Sequence, residues 1–211
     1  MYSLINQNCK YIIKENPQKL VKHFKDYLYL LDKNNWQNEC YKGKFKTFWG
    51  MNAARKLSSN TDFYSIYFNY FMSKPSIPDV NVLLDEIRKT NAGFQFSFAT
   101  KAVHILNPDL PIYDANVRRF YFLKDIDNLL TWEQKQVITK KYYEFLQEEY
   151  KRITTEKLLA STVNEIDIFL KTYKIDPQNL ITQTKKIDSI IWSWVDYLNK
   201  RQLSTSQVIW R

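Results

Sequence analysis

Along most of this chain apolar residues recur three and four positions apart, a spacing that gathers them on one side of a helix but scatters them over a strand. Leu20, Val21, Phe24, Tyr27, Leu28 and Leu31 make one such face, and Ile187, Ile190, Ile191, Trp194, Val195 and Leu198 make another. Few segments alternate apolar with polar, and only 3 Gly and 6 Pro are available to close turns. An all-α chain is therefore expected, folded as a compact multi-helix body.

The first helix signal is Asn16-Pro17, a capping residue followed by proline at the first helical position. A polar break follows at residues 32–35, and then the basic aromatic run Tyr41-Lys42-Gly43-Lys44-Phe45-Lys46-Thr47-Phe48-Trp49-Gly50. Its alternating lysines and rings could grip a phosphate backbone and stack bases. The favoured expectation is a loop entering a helix whose Phe45, Phe48 and Trp49 are buried. Further helices are expected near 62–73 and 78–90, joined by a stiff connector at 74–78, and then from a capping box at Thr131-Trp132-Glu133-Gln134 to about 152. Two more are expected over about 156–173 and 185–202.

A 45% hydrophobic content with 16% aromatic residues is enough for a substantial core, in one large domain or two small lobes. The balance of 31 basic against 22 acidic residues gives +9, which favours a polyanionic partner through phosphate contacts and counterion release. Part of that excess belongs to a Lys-, Asn-, Ile- and Tyr-rich composition that an AT-rich genome alone produces. Cys9 and Cys40 lie far apart with no histidine at ligand spacing, so zinc and an iron–sulfur cluster are not expected. They are read as free core cysteines in a reducing cytoplasm. No charged-then-apolar leader and no run of membrane-spanning length occurs, and neither a membrane partner nor a cofactor is expected.

Chemistry is concentrated in residues 96–119. Lys101 follows Ala99 and Thr100 at the expected start of a helix, where unpaired amides disfavour a positive charge, and its neighbours Phe98, Ala102 and Val103 point to partial burial. Both effects lower a lysine pKa, the condition for an amine nucleophile; an ordinary snorkelling lysine is the alternative. Asp114 follows Pro111-Ile112-Tyr113 and precedes a helical run, which makes it a natural N-cap and also a rigidly aimed carboxylate. Six helical residues after Lys101 advance about 9 Å, and the seven steps from Asn107 to Asp114 can return about 23 Å. The two side chains can therefore face one site. His104, one turn after Lys101, could line it or be a core histidine, while Arg118 and Arg119 suit phosphates or a solvated face.

Thr100-Lys101-Ala102 and Pro111-Ile112-Tyr113-Asp114-Ala115-Asn116-Val117-Arg118-Arg119 resemble the catalytic stretch of the helix-hairpin-helix DNA glycosylases, the second element especially that of the adenine-excising mismatch members. The Phe96–Lys101 and Pro111–Asp114 wording, with residues 187–192, also resembles a set of bacterial proteins of unassigned activity. The likeness covers roughly residues 96–119; the Gly-rich hairpin that precedes the lysine in that superfamily is replaced by residues 91–97, with one glycine. It implies an all-α fold over 1–211 with two lobes, one of about 36–125 and the other made by the two termini packed together. By the same resemblance Asp114 is the essential carboxylate and Lys101 the amine that attacks the sugar C1′. His104, Tyr113, Asn116, Arg118 and Arg119 are then the substrate-binding residues for DNA with a flipped base, Arg118 and Arg119 at its phosphates. Two other classes remain open: a non-catalytic nucleic-acid-binding module in a defence or regulatory role, and a structural or protein-interaction domain in which Lys101 and Asp114 form only a salt bridge and a cap.

Overall fold

Short polar side chains start most helices of this chain. Asn16, Asn38, Asp79, Asp114 and Thr131 each precede a helix and accept hydrogen bonds from first-turn amides that have no intrahelical partner. At Thr131 the cap is reciprocal, since Gln134 Oε1 accepts from the Thr131 N–H at 2.9 Å while Thr131 Oγ1 accepts from the Gln134 N–H. The computed structural model describes residues 1–53, 57, 60–73 and 75–204. Lys74 of the expected connector lies outside them. The described residues contain the helices α1 (Tyr2–Glu15), α2 (Pro17–Leu31), α3 (Glu39–Phe48), α4 (Thr61–Ser73), α5 (Val80–Arg88), α6 (Phe96–Leu106), α7 (Ala115–Phe120), α8 (Trp132–Thr155), α9 (Ala160–Thr172) and α10 (Gln183–Ser204), and no strand. The fold is all-α, as expected.

Three local expectations need correction. Helix α1 precedes the first expected start; Met1 gives no side-chain cap, so only the spacing of Ile5, Cys9, Ile12 and Ile13 marks it. The basic aromatic run is helical from Glu39 onward, because Asn38 caps it, and Tyr41 and Phe45 form its buried face while Phe48 and Trp49 stay partly exposed. Cys40 is exposed rather than in the core, since it sits about 100° around the helix from Tyr41; Cys9 is buried.

Three helices end without glycine. After α7, α8 and α9 the chain turns through Phe122 (φ 54°), Lys157 (φ 55°) and Lys174 (φ 50°), all in the left-handed region. Each closes a Schellman motif: Leu123 N–H donates to Arg118 O, Leu158 N–H to Ile153 O and Ile175 N–H to Leu170 O, each at 3.0 Å. The bond from Leu158 also explains why α9 begins at Ala160 instead of near 156.

Buried apolar side chains from all ten helices join in one cluster. Helix α1 packs on α9 and α10, and α10 also meets α7 and α8. Helices α4, α5 and α6 pack together, and α2 lies against both α3 and α6. Phe45 anchors α3 among Tyr41, Tyr67, Phe68 and Phe71, with ring centroids 5.2–5.9 Å away. Trp36 Nε1–H and Tyr41 O–H both donate to the Leu30 carbonyl at 3.1 Å, tying α3 to the end of α2. That fixed α2–α3 unit brings Trp49, at the end of α3, over the buried lysine of α6. Among the described residues no helix is long and apolar enough to cross a membrane.

The left-handed helix ends generate a prediction. Lys157→Gly and Lys174→Gly relieve the cost of a side chain in that conformation, offset by the greater freedom of the unfolded glycine, so each variant should be about 0.5–1 kcal/mol more stable than the native chain in urea denaturation. A loss of stability would contradict the account of these caps.

Candidate functional site

Helix α6 begins at Phe96, with Gln95 at its cap, so Lys101 stands at the sixth helical position and not in the first turn. The helix-start amides are therefore a turn away, and burial takes over as the main influence on the amine. Lys101 is 7% exposed. Its Nζ donates to Ser97 Oγ at 3.2 Å and lies 4.9 Å from the Phe98 ring centroid and 5.7 Å from that of Trp49. Burial pushes the Lys101 pKa below the ordinary lysine value; the Asp114 and Asp188 carboxylates oppose that shift and the Lys185 charge adds to it.

Asp114 is held from two sides. Its Oδ1 accepts from the Asn116 and Val117 amides at 2.8 and 2.9 Å, which starts the short helix α7. The strand-like stretch before it is clamped to α6 by Thr100, whose Oγ1 accepts from the Tyr113 N–H at 3.1 Å and lies 3.3 Å from the Tyr113 carbonyl. One turn on, His104 Nδ1 donates to the Leu110 carbonyl at 2.6 Å, which leaves Nε2 as the acceptor of the Tyr27 hydroxyl at 2.9 Å. Burial raises the Asp114 carboxyl pKa, Asp188 raises it further, and Lys101 and the two amides pull it down. Lys101 and Asp114 thus lie close enough to bias each other's charge.

A second pair completes the cluster. Lys185 and Asp188, on successive turns of α10, are 1% and 5% exposed and bonded at 2.9 Å. The Lys185 ammonium is boxed by Tyr27, Trp49 and Phe48, with centroids at 4.9, 5.3 and 5.9 Å. His23 stacks on Phe48 at 4.9 Å and lies 3.5 Å from Ser189 Oγ. Burial, then the charges of Lys185 and Lys19, hold His23 well below the usual histidine range. The outer wall of the cluster consists of His23, Phe48, Trp49 and Phe98, all partly exposed.

The remaining residues named from the sequence fall outside that wall. His104 is fully buried in its two hydrogen bonds and acts as a core histidine. Tyr113 is buried between Phe96 and Tyr142. Asn116 is partly exposed, Arg119 is exposed, and Arg118 pairs with Asp125 at 2.6 Å. A surface cleft of about 430 Å³ opens between the α5 start and the middle of α8, another of about 250 Å³ between the α6–α7 loop, the last turns of α8 and Thr184 of α10, and Lys101 and Asp114 line neither. Sequence reading missed Lys185 and Asp188. Their signal was a lysine and an aspartate three apart on a helix whose Asp188, Ile191 and Val195 share one face. Comparison of the chain with protein-family models, curated proteins and solved structures finds no match.

Two outcomes follow from these clamps. Thr100→Val keeps the shape but leaves the buried Tyr113 N–H without its acceptor, and should cost about 1–3 kcal/mol in urea denaturation. Burial holds the His104 pKa down at about 3. A histidine depressed in the folded state binds more protons when unfolded, so its contribution is complete above about pH 6.5 and is lost as pH falls towards 3. Native stability should decline over that window, and His104→Gln should flatten the decline; an unchanged slope would remove His104 as its source.

Proposed function

We propose that this chain binds DNA and excises a base, with Lys101 as the amine nucleophile and Asp114 as the carboxylate that stabilises the sugar cation. The observation that carries this reading is the buried Lys101 amine, shifted towards its neutral form and sharing one charge network with a carboxylate aimed by helix amides. The aromatic wall supports it further, since partly exposed rings can stack a base extruded from the duplex. Net charge of +9 supports the polyanionic partner.

In this reading the Lys101 nitrogen bonds to C1′ as the glycosidic bond breaks and the departing base takes up a proton. Asp114 faces the positive charge that develops on the sugar. Ring opening converts the adduct into a Schiff base, and loss of a proton from C2′ then breaks the C3′–O bond. The side chains of Trp49 and Phe98 lie over the amine, so the sugar reaches it by displacing them. A second reading, binding without excision, is favoured by one observation: Lys101 is almost fully enclosed and neither surface cleft reaches it.

Incubation with a panel of modified duplexes under borohydride separates the two. The first reading expects a trapped adduct that disappears in Lys101→Ala and falls about 10²–10³-fold in Asp114→Asn, with binding retained. Salt-dependent binding with no adduct on any duplex selects the second. Absence of binding even at low salt sinks both.

A further inference from the structure

Helix α10 contributes two buried charges that the proposed reaction does not use. Lys185 and Lys101 both approach the Trp49 indole, at 5.3 and 5.7 Å from its centroid, yet their partners differ. Lys185 holds the Asp188 carboxylate in direct contact, whereas Lys101 donates to the Ser97 hydroxyl. The other carboxylate of the cluster, Asp114, has its Oδ1 engaged by the α7 amides. A carboxylate in contact favours the charged form of a buried amine and occupies it, whereas a hydroxyl does neither.

We propose that Lys185 is a positioning residue: held in the box of Tyr27, Phe48 and Trp49 and bonded to Asp188, it keeps that carboxylate off Lys101 and makes Lys101 the reactive amine of the pair. This rests on Lys101 acting as a nucleophile and adds the group that selects it. The charged and titratable side chains around Lys101 are Asp114 at the α7 cap, Lys185 and Asp188 on α10, His104 on α6 itself, His23 and Tyr27 on α2 and Tyr67 on α4, whose hydroxyl donates to Phe98 O. Helix α5 adds buried apolar residues only, Val80, Leu83, Leu84 and Ile87. Among the ions, Asp114 and Asp188 favour the Lys101 ammonium and Lys185 disfavours it. Removing Lys185 alone both deletes the repelling charge and releases Asp188, and the two effects have the same sign.

Reductive methylation of the whole chain with formaldehyde and cyanoborohydride measures this without DNA. The neutral amine attacks the aldehyde carbon, water leaves as the iminium forms, and hydride from cyanoborohydride reduces it to the methylamine. Methylation rate is followed against pH by peptide mass spectrometry, with exposed Lys44 as the internal reference. In the native chain Lys101 should reach half its maximal rate at lower pH than Lys44. Lys185→Met should raise that midpoint by about one unit, a roughly tenfold slower reaction at neutral pH. The double variant Lys185→Met with Asp188→Asn removes both charges and should return the midpoint to the native value or below.

An unchanged or lowered midpoint in Lys185→Met overturns the proposal, as does a raised one in the double variant. If Lys185→Met does not fold, the double variant decides by the same criterion. A native Lys101 that titrates with Lys44 removes the nucleophile reading itself, whereas a missing duplex adduct alongside the expected midpoints removes only the reaction on DNA.

Discussion

Two lysine side chains are taken out of water at the centre of this molecule, and the arrangement around them depends on that cost. An isolated buried ammonium is prohibitively expensive, so it must be paired, surrounded by ring faces or deprived of its proton. Lys185 takes the first two routes, with Asp188 in contact and three aromatic rings around it. Lys101 has a hydroxyl and two ring faces, and burial shifts it towards the neutral form. Neighbouring lysines in one aromatic setting thus acquire different characters from a single difference in partner.

The helices supply that setting by ordinary means. Phe45 locks α3 onto α4, the Leu30 carbonyl ties α3 to α2, and the resulting unit delivers Phe48 and Trp49 to the cluster. On the opposite side the Thr100 hydroxyl and the His104 ring hold the returning chain against α6, so that Asp114 arrives at the start of α7. Thr182 and Thr184 donate to the Pro108 and Asp109 carbonyls, which seats the beginning of α10 on the same loop and brings Lys185 and Asp188 alongside. The connection of eight residues between α6 and α7 is therefore fastened at its backbone by side chains of α6 and of the start of α10.

Legibility in the sequence followed the range of the interaction involved. Asp114 and Thr131 could be read as caps because a cap is a bond between residues two or three apart. Helix α1 is obscured because its signal lies only in apolar spacing, whereas the expected ends of α8 and α9 fall within three residues of Thr155 and Thr172 although Lys157 and Lys174 stand where glycine is the usual marker. Lys101 was placed one turn too near its helix start because α6 opens at Gln95 without a side-chain cap.

By itself the sequence determined the all-α class, most helix starts and Asp114 as a helix cap, since each depends on periodicity or on neighbours along the chain. Only the tertiary structure decided that the Lys185–Asp188 pair is buried and shares the Trp49 indole with Lys101. The box around Lys185 draws on Tyr27, Phe48 and Trp49 from α2 and α3, more than a hundred residues before α10, and a contact between residues that far apart leaves no periodic or local trace. The same holds for the enclosure of Lys101 under Trp49, a matter of how whole helices pack and not of what flanks the lysine in the chain.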